Sequence, residues 1–170
     1  MFGRGTNMKI TILCVGKIKE AFYREAVSEY AKRLGRYCRL EIVEVADERT
    51  PENAGAAQTA QILEKEGARM RARIEAYRSE GCHLFALTIN GRQMDSVAFS
   101  GQIERLGVSG TSHIVFLIGG SLGMSEELLS MADQNISFSK MTFPHQLMRV
   151  ILLEQIYRAY RIMRKEPYHK

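Results

Sequence analysis

Five short apolar runs, at 8–16, 39–47, 83–89, 112–120 and 135–139, recur along the chain, and a segment of helical period separates each from the next. Strands joined through helices run parallel, and a parallel sheet needs both faces covered. The chain is therefore expected to fold as an α/β domain with a mostly parallel sheet flanked by helices. MKITILCVG opens the pattern and closes on Gly16, while SHIVFLIGG at 112–120 is the most apolar run. HLFALTI at 83–89 is expected to end at the turn signal NGR. The spacing predicts helices over 18–34, 56–78, 95–106, 125–133 and 145–164, with Ser125 as an N-cap and Pro144 just before the last.

The chain has 170 residues, 45% of them hydrophobic and 25% charged, which suits one globular core. No apolar run approaches the roughly 20 residues that a membrane span needs, so no membrane partner is expected. Residues 1–7, MFGRGTN, lack the apolar centre of a secretory signal. They are expected to be an extension or expression scar, with a single domain over 8–170. Cys14, Cys38 and Cys82 are odd in number and show no CxxC spacing, which favours buried reduced thiols and a cytoplasmic location. Cys82 and His83 are adjacent on a strand and point to opposite faces, so no metal site is expected.

The charge is informative by location. Of 24 basic and 19 acidic residues, seven basic and two acidic lie in 140–170, which leaves 17 of each in 1–139. The whole excess of +5 therefore belongs to the C-terminal segment. Clustered basic charge suits a polyanionic partner, although a solvated helix face has the same composition.

In open α/β sheets ligands gather at the carboxyl ends of strands. Three loops there stand out: LTINGR after 83–89, IGGSLG after 112–120, and SFSKMTFPH from Ser137. IGGSLG is either a small-molecule binder or a tight strand-to-helix turn. It is not a dinucleotide fingerprint, and no GxxxxGK[ST] occurs.

At about 100° per residue, Glu154, Arg158, Arg161 and Lys165 share a stripe about 60° wide on the last helix. The rest of that helix is largely apolar, so it should be buried on more than one side, which suggests a homodimer. Arg149 lies off the stripe, about 140° from Glu154. It is expected to extend toward residues 137–144, as a site residue or as a snorkelling arginine at a subunit edge. His145, at the start of the helix, is a functional candidate or simply a capping residue.

MKITILCVGKIKE, LEKEG at 63–67, IGGSLG, SFSKMTFPHQLMRVILLEQIYRAYRIM at 137–163 and the terminal PYHK closely resemble the ribosomal RNA large subunit methyltransferase H family of SPOUT methyltransferases. The resemblance covers the chain after about Met8. It implies a deep C-terminal trefoil knot, which local sequence reasoning would not propose. It further implies a homodimer that uses S-adenosylmethionine as methyl donor and modifies N3 of a pseudouridine in the helix 69 loop of 23S rRNA on the assembled ribosome. By position, it places the cofactor against Leu87, Gly119, Phe138, Ser139, Lys140, Met141, Thr142 and Phe143. Arg149, Tyr168 and His169 are the catalytic candidates, with Tyr168 able to stack on the base and the tail able to act across the dimer.

Overall fold

The computed structural model describes residues 8–170; the proposed extension, 1–7, lies outside the described residues. Five parallel strands are ordered β2-β1-β4-β3-β5. In chain order they are β1 (Lys9–Val15), β2 (Arg39–Val45), β3 (His83–Gln93), β4 (His113–Ile118) and β5 (Gln134–Ser137). The helices between and after them are α1 (Ala21–Leu34), α2 (Ala56–Ser79), α3 (Ser96–Val108), α4 (Glu126–Met131) and α5 (His145–Met163).

Strand alternation divides the interior into two cores. Ile10, Ile12, Phe85, Ile114 and Phe116 face the layer that holds α1, α3 and α5, where they meet Leu34, Phe99, Leu152 and Ile156. Leu13, Val15, Leu84, Val115 and Leu117 face α2 and α4, against Met70, Ile74 and Leu128. All six residues of β4 are buried, as a central strand covered on both faces requires. Asp95 and Ser125 cap α3 and α4 by accepting from the backbone N–H of Ala98 and Leu128.

One strand departs from the sequence reading. NGR does not end β3. Leu87 and Arg92 both register with Ile136, so residues 88–91 bulge out and the strand then continues along β5. Gly91 makes this possible, because a Cβ there would lie 2.5 Å from the Ile136 carbonyl carbon. The turn-forming residues produce a bulge because the neighbouring strand supplies fresh hydrogen-bond partners beyond it.

α5 packs between α1 and α3. Its inner face buries Leu152, Leu153, Ile156 and Ala159, while Leu147, Val150 and Ile151 stay partly exposed.

Candidate functional site

The ends of β3, β4 and β5 converge on a cleft of about 440 Å³. Residues 87–90 form one wall, 118–124 another, and 136–139 with 141–143 a third; His145 and Met148 of α5 complete the rim. The three loops singled out in the sequence thus meet. Of the residues the family resemblance assigned to the cofactor, Leu87, Gly119, Phe138, Ser139, Met141, Thr142 and Phe143 line this cleft. Lys140 is exposed and stands outside it.

The glycine loop follows directly on β4. It is a tight turn, in which Gly123 N donates to Gly120 O at 3.0 Å and Gly123 holds φ +78°. It is also a cleft wall. A Cβ on Gly119 would stand 2.5 Å from Gly123 O, so the turn closes only around a residue without a side chain. The third loop is shaped by serines: Ser137 Oγ donates to Ser139 O, and Ser139 Oγ accepts from Met141 N, each at 2.9 Å. Phe138 anchors it edge-on to Phe99 of α3.

Glu66, within the LEKEG segment on α2, supports the glycine loop from behind and was not among the expected site residues. A Cβ on Gly120 would lie 3.0 Å from its Oε2. Glu66 is buried; Oε1 accepts from Glu48 N at 3.0 Å, while Oε2 is buried without a partner. Burial pushes this carboxyl above its ordinary range. An acid with a raised folded pKa favours the fold while protonated, and that contribution is lost as pH rises through the folded value. Glu66→Gln should therefore stabilise the protein at pH 7. The gain should vanish in acid, and thermal melts at pH 7 and pH 4 check both parts.

Arg149 corrects the expected direction. It is 1% exposed, and it turns away from residues 137–144 toward the ends of β1 and β2. Its guanidinium donates to Glu44 Oε2 at 2.6 Å and to Gly16 O at 2.5 Å. The carbonyls where a parallel strand stops lack ladder partners, and a forked donor satisfies one of them together with a carboxylate.

The tail also folds back. Tyr168 donates to Glu154 Oε1 at 3.0 Å and lies under the Arg158 guanidinium, 4.6 Å from its ring centroid. His169 Nδ1 is 3.3 Å from Arg158 Nη1. Burial, with the hydrogen bond to Glu154, pushes the Tyr168 phenol up to about 12. The stripe expected to face water is thus partly covered by its own tail, and Arg158 and Arg161 pair internally with Glu154 and Glu166. Within one chain, Arg149, Tyr168 and His169 all lie outside the cleft lining.

Cys14, Cys38 and Cys82 are free and buried, and burial pushes the Cys14 and Cys38 thiols up to about 12. Among the described residues no helix is long and apolar enough to cross a membrane.

Residues 8–169 match a family model described as predicted SPOUT methyltransferase. The chain is 56% identical over 163 residues to ribosomal RNA large subunit methyltransferase H of Bifidobacterium adolescentis, covering 96% of this chain and 100% of that one. Among solved structures, a probable methyltransferase from Bordetella pertussis superposes with a TM-score of 0.58 at 12% identity, covering 91% of this chain and 96% of that one. The SpoU methyltransferase AviRb of Streptomyces viridochromogenes, determined in complex with AdoMet, gives a TM-score of 0.50 at 14% identity over 96% of this chain and 63% of its own.

Proposed function

This chain belongs to the SPOUT methyltransferases, in the ribosomal RNA large subunit methyltransferase H family, and on that premise we propose that it methylates 23S rRNA with S-adenosylmethionine as donor. The target proposed is N3 of a pseudouridine in the helix 69 loop, on the assembled ribosome in the cytoplasm. The observation that carries this reading is the cleft, where three loops from neighbouring parallel strands meet.

The cleft suits the donor chemically. Leu87, Phe138, Met141 and Phe143 offer apolar walls to a purine, and the glycine loop presents backbone groups without side chains in the way. Leu87, Gly119 and 138–143 are the contacts proposed, with Lys140 covering from outside. The donor supplies an electrophilic methyl on a sulfonium. The protein's tasks are to fix the base in line with that methyl and to manage the imide proton.

The deep trefoil knot and the single domain over 8–170 belong to the same proposal. The passage of Arg92 and Gln93 along β5 beyond the bulge, with Gly91 pressed on the Ile136 backbone, supports a threaded chain. A homodimer is proposed through α5, and the partly exposed Leu147, Val150 and Ile151 support it. In that dimer Tyr168 and His169 would serve the partner's cleft, and Arg149 would act by holding the strand ends.

The test is to incubate the protein with ribosomes lacking the modification and with labelled donor, then map the methyl group. Label at any other nucleotide would overturn the target. For the tail, Tyr168→Ala and His169→Ala should each slow methylation about tenfold or more while the fold stays intact. Full activity in both would remove the tail from the mechanism.

A further inference from the structure

We propose that His145 is the residue that takes the imide proton during methyl transfer, acting within the same subunit whose cleft holds the donor. This rests on the methyl-transfer reading above. In the step, the N3 lone pair forms the N–CH₃ bond, the S–CH₃ electron pair returns to sulfur as a neutral thioether, and the N3 proton passes to the imidazole.

The cleft narrows the choice. Among its lining residues only Glu126 and His145 carry side chains that accept a proton near neutrality. Glu126 is exposed in the first turn of α4, where its negative charge serves the helix N-terminus. His145 is half-buried at the first position of α5, directly after the loop that forms the third wall. Its ring makes no hydrogen bond to another described residue, so it is not acting as a cap or as a structural donor.

The surroundings keep the ring neutral and therefore able to accept. Burial lowers its pKa most, and Arg149 one turn along the helix lowers it further. Across from it, Asp47 after β2 opposes them, and Lys19 and Glu20 before α1 act in opposite senses. The loop before α1 is held against the helix start by Lys19 N donating to Gln146 Oε1 at 2.9 Å. His145 thus stands where the donor cleft opens toward the loops after β1 and β2, with Asp47 placed to favour the imidazolium once it forms.

The experiment is single-turnover methylation of unmodified ribosomes between pH 6 and pH 9.5 by wild type, His145→Gln and His145→Asn, with melting temperatures recorded with and without S-adenosylmethionine. The wild-type rate should rise with pH through a midpoint below the usual histidine value. At pH 7 both variants should lose about 10²–10³-fold in rate, keep the stabilisation by the donor, and recover part of the deficit at high pH, where the imide ionises unaided. A structural role would not produce that narrowing. Variants within fivefold of wild type, an equal deficit at every pH, or loss of the donor's stabilising effect would each overturn the proposal while wild-type activity keeps the reading it rests on. An inactive wild type would overturn that reading and this inference with it.

Discussion

Gly119→Ala is expected to reduce methylation at least about hundredfold and to abolish the rise in melting temperature that S-adenosylmethionine produces. The added Cβ would lie 2.5 Å from Gly123 O, 2.6 Å from its carbonyl carbon and 2.9 Å from Met124 Cγ. Two of those three atoms are backbone, so no rotamer change relieves the clash. The turn must open, which removes the Gly123-to-Gly120 hydrogen bond and moves the wall of the cleft. Overpacking of this kind costs roughly 1–3 kcal/mol, small enough to leave the domain folded. Calorimetry with and without the donor, beside an activity assay, separates the two effects. A normal donor-induced shift in a folded Gly119→Ala protein would mean that the glycine loop is only a turn.

Arg149→Met is expected to destabilise the protein by about 3 kcal/mol, the lower end for removing one partner of a buried ion pair. The lower end applies because Glu44 keeps 36% of its side chain exposed and can rehydrate. The Gly16 carbonyl loses its short donor at the same time. Arg149→Lys should recover only part of the loss, because a single ammonium cannot reproduce the fork that serves Glu44 and the strand end together. Urea denaturation measures the difference. The pair Glu44→Met with Arg149→Met then divides structure from chemistry. If Arg149 acts by holding the ends of β1 and β2, restored stability should bring activity back. A stable but inactive double variant would place the guanidinium in the reaction itself.

Much of the fold was legible because a fully buried parallel strand has no polar alternation to hide it. β1 and β4 read directly as apolar runs closed by glycine, and Ser125 marked the start of α4 as its hydroxyl caps Leu128 N. The cleft was legible through a topological rule, since parallel strands bring successive loops to one edge of the sheet. β3 was cut short because NGR is a turn signal wherever the local chain decides. Here β5, more than 40 residues later, supplies the ladder that lets the strand continue past its bulge. His145 looked ambiguous at a helix start, and only the tertiary structure places it on the rim of the cleft.

The sequence by itself determined the alternation of strands and helices, the apolar inner face of α5, and which loops carry glycine and serine where a ligand site belongs. Those are local properties, set by side-chain period and backbone freedom over a few residues. Only the tertiary structure decided where the charges go. Arg149 meets a carboxylate 105 positions earlier in the chain, and Glu66 ends up behind a loop more than 50 positions later. Tyr168 and His169 fold over a stripe that helical spacing placed on the polar face of α5. A buried charge is settled by whatever partner the packing leaves within about 3 Å of it, and strand order, which no local pattern encodes, chooses that partner.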